Sequence, residues 1–145
     1  MAERDLNPDE GPAPLREDLL HYTPVPGSVR LDRHRAARLV TQWGQPQLAD
    51  DVQLLVGELA ANALVHGCWP DWFFRLRLAL TETALRIEVS DPRGDRFPEP
   101  RTAVDGDDSG RGLMMVEAVA DRWGTVPLRV GKTVWVELGL AKETA

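Results

Sequence analysis

Cysteine is nearly absent from this sequence: Cys68 is the only one in 145 residues. That excludes a disulfide framework and a cysteine-based zinc site within the chain. Positive charge is also scarce. The 17 Lys and Arg are outnumbered by 23 Asp and Glu, for a formal net charge of −6, the opposite of the basic excess of a general nucleic-acid binder. Long apolar runs are missing too, and none approaches the roughly 18 residues of a membrane span. The opening stretch MAERDLNPDEGPAP has no apolar core of the signal-peptide kind. These absences lead to the expectation of a cytoplasmic protein without a direct nucleic-acid or membrane partner. What is present is a globular balance, 43% hydrophobic and 28% charged. The length suits one domain, able to bury roughly 70% of the surface its unfolded chain exposes.

Residues 1–18 are rich in proline and charge and read as a tail, with 19–140 as the domain and 141–145 as a short C-terminal tail. The pattern predicts a strand over Leu19 to Val25, stopped by Pro26-Gly27, then a helix over Val29 to Trp43 with Ser28 as its N-cap and Gly44 at its C-terminus. Arg30, His34 and Arg38 line one side of this helix, with Arg33 and Arg35 beside them. Such a side is usually solvated, and in an acidic protein it also suits an acidic partner. A second helix is predicted from Asp50 or Asp51 to about His66, stopped by Gly67. Phe73 to Leu80 and Leu85 to Val89 read as a hairpin. Pro92 to Ser109 reads as a long loop of the lid kind. A short helix from Leu113 to Ala120 and strands over Trp123 to Val126 and Thr133 to Leu140 complete the order. The sum is an α+β domain, a two-layer sandwich of a mostly antiparallel sheet with helices on one face.

Three motifs carry chemistry. On the second helix, in ELAANALVHG, Glu58 and Asn62 stand four apart and so share a face, at the margin of the stripe made by Val52, Leu55, Val56, Leu59 and Ala63. Asn is a poor mid-helix residue with nothing to gain there. Asp91 closes a strand in DPRG, a place where aspartate also serves simply as a turn former. In Gly110-Arg111-Gly112 the glycines allow close backbone approach, and a following helix N-terminus suits phosphate.

In this order the three motifs resemble the N box and the two glycine boxes of the Bergerat-type, or GHKL, ATP-binding fold. Size and the lack of attached domains make the chain most similar to the small anti-sigma-factor serine/threonine kinases, whose last strand resembles Gly131-Lys132-Thr133-Val134-Trp135-Val136-Glu137. The resemblance implies ATP and Mg²⁺ as cofactors. It makes Glu58 the general base for the attacking hydroxyl and Asn62 the magnesium ligand. Asp91 becomes the acceptor for the exocyclic amine of adenine, with Gly94 in the first glycine box. Gly110, Arg111 and Gly112 surround the phosphates, and Thr133 joins the nucleotide pocket. His66 and Gly67 match the end of the N box without a chemical role. The implied partners are a sigma factor, held when the protein is not otherwise engaged, and an antagonist phosphorylated on serine or threonine. A homodimer is left open.

One departure stands out. The family pattern has glycine two residues after the aspartate, where this chain has Arg93, with Gly94 following. Asp105, Asp107 and Asp108 place acidic charge near the phosphates. A nucleotide-dependent binding module without transfer activity is therefore the alternative, retained Glu58 favouring the enzyme, and a scaffold that binds no nucleotide is the third reading. Met114 and Met115 are expected in the core, Trp123 and Trp135 in strand packing, and Trp69 and Trp72 in either an exposed or a partner-facing patch. Cys68 is expected to be inert.

Overall fold

Strand-forming segments here alternate cleanly enough to make one face apolar, and that face decides the architecture. In the computed structural model, residues 13–64, 73–92 and 108–140 are described, 108–113 through their backbone alone. The elements run β1 (Arg16–Tyr22), α1 (Pro26–Gln42), a 3₁₀ turn at Pro46–Leu48, α2 (Ala49–Asn62), β2 (Phe74–Leu80), β3 (Ala84–Asp91), α3 (Asp108–Val119), β4 (Arg122–Pro127) and β5 (Lys132–Gly139). All described strand pairs are antiparallel, and the sheet order is β1-β2-β3-β5-β4. The α+β sandwich expected from the sequence is the fold observed.

Two boundaries differ near the start. β1 begins at Arg16 rather than Leu19 and ends at Tyr22, so Pro26 does not stop a strand but opens α1. Proline suits the first helical position, where its missing N–H is one the helix leaves unbonded anyway. Ser28 is therefore inside the first turn rather than capping it, its Oγ lying 3.1 Å from Thr23 Oγ1. Gly44 does take the left-handed conformation that ends α1, at φ +87.

Leu76, Leu78, Leu85, Ile87, Val89, Val134 and Val136 line the inner face of the sheet. Against them pack Val52, Leu55, Val56 and Leu59 of α2, Ala36 and Val40 of α1, and Val116 of α3. Each fully buried aliphatic side chain contributes roughly 1.5–3 kcal/mol. Met114 and Met115, expected in this core, are 45% and 43% exposed. The helical period turns Val116, Val119 and Ala120 to the core instead and leaves the methionines outside.

The outer face carries a chain of ion pairs. Glu88 accepts from Arg77 at 3.2 Å and from Arg86 at 2.7 Å. Arg86 reaches Glu137 at 3.0 Å and lies 4.3 Å over the Trp135 ring. Gly124 has no side chain because Trp135 needs the room: a Cβ there would lie 3.0 Å from the indole.

Candidate nucleotide site

Helix α2 packs against α1, α3 and β3, so it is the element that joins the parts of the site. Glu58 is partly buried, and Asn62, one turn on, is only 9% exposed. A polar amide buried to that degree at a helix end sits on the core side of α2, beside Leu59 and Ala63. The helical geometry continues through Ala63; His66 and Gly67, predicted to end it, lie outside the described residues, as do Cys68, Trp69, Trp72, Arg93, Gly94 and most of the predicted lid. Helix α3 starts at Asp108, which places Gly110, Arg111 and Gly112 inside its first turns rather than ahead of it. The first four backbone N–H groups of a helix have no partner within it, and there they give the helix start its partial positive charge.

Asp91 is the last residue of β3 and continues the inward row of Leu85, Ile87 and Val89. Directly across stands Lys132, the first residue of β5. Lys132 Nζ donates to Asp91 Oδ1 at 3.0 Å, and both side chains are 1% exposed. The backbone beneath the pair is pressed close. Gly131 has φ +93, and a Cβ there would fall 1.9 Å from the Asp91 carbonyl oxygen and 2.8 Å from Pro92 Cα. Only glycine fits this approach.

Thr133 is placed elsewhere. It is one residue on from Lys132, so it points to the outer face, where its hydroxyl lies 2.7 Å from Ser90 Oγ. Ser90 in turn accepts from Arg75 at 3.4 Å. The structure thus brings Asp91 and Lys132 together on the helix-covered face and holds Thr133 behind the sheet. Sequence reasoning passed over Lys132 and Gly131. The signal was there: in Lys132-Thr133-Val134-Trp135-Val136 the alternation assigns Lys132, not Thr133, to the face of Val134 and Val136.

A second buried group was also missed. Asp32 of α1 is 0% exposed, and neither of its carboxylate oxygens has a hydrogen-bond partner among the described residues. Burial pushes its carboxyl up to about 7, opposed by Tyr22 and Arg35 and aided by Asp18. Burial likewise raises the neighbouring Tyr22 hydroxyl to about 12, with the Asp32 charge adding to the shift. Arg35 is held by Asp18 of β1, so this corner ties α1 to the edge strand.

A two-layer sandwich with an amide and a carboxylate on the covering helix, and an aspartate at the end of an inner strand, defines a class of nucleotide-binding domain. The chain belongs to the histidine kinase-like ATPase domain family, whose model matches residues 23–137. Among curated proteins, none matches this chain. Family membership implies ATP binding. No helix among the described residues is long and apolar enough to cross a membrane.

Proposed function

We propose that this protein is an ATP-binding regulator of the anti-sigma-factor type, a serine/threonine kinase that phosphorylates an antagonist protein and sequesters a sigma factor when not so engaged. The observation that carries the reading is the placement of Glu58 and Asn62 one turn apart on α2, the helix packed against both β3 and α3. In this reading Glu58 takes or orients the proton of the attacking hydroxyl, and Asn62 is the protein ligand of Mg²⁺. Among the described residues no cluster of three or more His, Cys, Asp or Glu side chains forms a metal site. That suits an ion carried mainly by phosphate oxygens and water with one protein ligand. Phosphoryl transfer asks little more of the protein than position, charge and a base. The setting is cytoplasmic, with protein partners only.

The test is transfer of the γ-phosphate from Mg·ATP to a serine or threonine of the partner that co-purifies with the chain. General bases contribute about 10²–10⁴-fold in rate. Glu58→Gln is expected to cut transfer by that factor with nucleotide affinity almost unchanged, whereas Asn62→Ala weakens Mg·ATP binding as well. Full transfer in Glu58→Gln overturns the base assignment. The substitution of Arg93 for glycine beside Asp91 favours a second reading, a binding module controlled by nucleotide occupancy alone. In that case the wild type transfers no phosphate while ATP still changes its affinity for the partner.

A further inference from the structure

Among the described residues, the arginines on the outer face of the sheet are matched to carboxylates, with one exception. Arg77 pairs with Glu17 and Glu88, Arg86 with Glu88 and Glu137, and Arg122 with Glu137. Arg75 is half-buried on the same face, and the hydrogen bond its side chain makes is to a neutral group, the Ser90 hydroxyl, at 3.4 Å. A contact that long is weak. A guanidinium carries several N–H donors, so most of the capacity of Arg75 is unused. Partial burial of a charge is costly without a counter-charge.

The side chains beside Arg75 are donors too. The register sets His21 of β1 opposite Arg75, Arg75 opposite Ser90 of β3, and Ser90 opposite Thr133 of β5. Directly opposed residues of antiparallel strands turn to the same face, about 5 Å apart, so these residues form one row across the sheet. His21 is exposed. Ser90 and Thr133 are 8% and 6% exposed, with their hydroxyls 2.7 Å apart. That bond consumes one of the two hydroxyl protons, and Ser90 already accepts from Arg75, so one proton is left to donate. Glu88, the next outward residue of β3, is taken by Arg77 and Arg86.

We propose that this row is a binding site for a phosphate group, with Arg75 as its charged centre, His21 and Ser90 on its two sides and Thr133 behind Ser90. A ring N–H, a guanidinium and a hydroxyl on adjacent strands meet several oxygens of one group, which a tetrahedral phosphate offers. Arg is the cation whose planar fork fits phosphate oxygens. The ligand arrives from solvent, over exposed His21 and the uncovered part of Arg75, and the two hydroxyls form its floor. The site lies on the face of the sheet away from the helices, so it neither uses nor tests the nucleotide reading.

The phosphate is either a free anion or part of a phosphorylated side chain, and the experiment separates the two. The isotope-labelled whole chain is titrated by NMR with inorganic phosphate and, separately, with O-phosphoserine. The pH and ionic strength are held constant, and chloride serves as the control for screening. Saturable shifts of the backbone amides of His21, Arg75, Ser90 and Thr133 are expected, absent with chloride. Saturation by either probe supports the site, and the tighter probe identifies the source of the phosphate. Arg75→Gln removes the charge without stranding a carboxylate, and is expected to weaken binding about tenfold or more. The inference is overturned if neither probe gives a saturable shift in the wild type, or if the shifts are confined to α2 and α3. An affinity that Arg75→Gln leaves unchanged overturns it as well. The wild-type map needs no variant, so the inference stays open to refutation if Arg75→Gln fails to fold.

Discussion

A carboxylate loses its hydration on burial and needs partners in return; Asp32 is buried completely with neither oxygen hydrogen-bonded among the described residues. Its folded carboxyl titrates at about 7 against 3.8 for the free group. A folded value above the unfolded one means the native state holds a proton that the unfolded state has released. The associated stability is complete below the unfolded value, is lost as pH rises through about 7, and stays lost above it. The size is on the order of 4 kcal/mol. Tyr22 and Arg35 oppose the shift, and the Asp18 charge adds to it. Urea midpoints are therefore expected to fall between pH 5 and pH 8 in the wild type, and Asp32→Asn to flatten that slope and raise stability at pH 8. A pH profile identical in the two proteins refutes the assignment. The sequence held a signal that was passed over: Asp32 stands four before Ala36 and eight before Val40, on the same buried stripe of α1.

Strands β3 and β5 carry opposite loads on their two faces. Inside they bury Ile87, Val89, Val134 and Val136; outside, Arg86 is 3% exposed between Glu88 and Glu137. Removing one member of a buried ion pair leaves its partners charged and uncompensated, at a cost of about 3–5 kcal/mol. Glu88 keeps Arg77 and Glu137 keeps Arg122, so Arg86→Met is expected to destabilise the protein by less than that, through weaker compensation of the two carboxylates and the lost stacking on Trp135. Arg122 also reaches Glu137, at 3.4 Å, but its side chain is 60% exposed, so Arg122→Ala is expected to change stability by under about 1 kcal/mol. Chemical denaturation of both variants checks the pair. This element scale is where the sequence was most readable. Alternation in Leu85, Ile87 and Val89 set the inner face of β3, and the hairpin to β2 followed from the expected turn Thr81-Glu82-Thr83-Ala84, of which Ala84 is already the first residue of β3. Less legible were positions where packing overrides local preference. Met114 and Met115 are apolar yet exposed, because a helix has only one inward stripe. Thr133 looked suited to a polar pocket, yet strand parity sends it to the outer face and turns Lys132 to the inner one. Glu58 and Asn62 were legible because a spacing of four fixes their common face whatever the tertiary contacts are.

For the whole molecule, any ligand that binds the folded form alone stabilises it by mass action. Mg·ATP at a hundred times its dissociation constant is expected to add about 2.7 kcal/mol, a rise in thermal midpoint of roughly 10 °C for a domain of this size. Differential scanning calorimetry with and without the nucleotide measures it, and an unmoved midpoint at saturating nucleotide contradicts a site on the folded domain. The order β1-β2-β3-β5-β4 has one more effect, on self-association. Among the described residues it makes β1 and β4 the margins of the sheet, and a sheet margin is where a strand of another chain can pair. β1 carries Arg16, Glu17, Asp18 and His21 along that margin, and β4 carries Arg122 and ends at Pro127. That order keeps the most apolar strands, β3 and β5, in the interior, and the charge and proline of β1 and β4 make those margins poor templates for a growing aggregate.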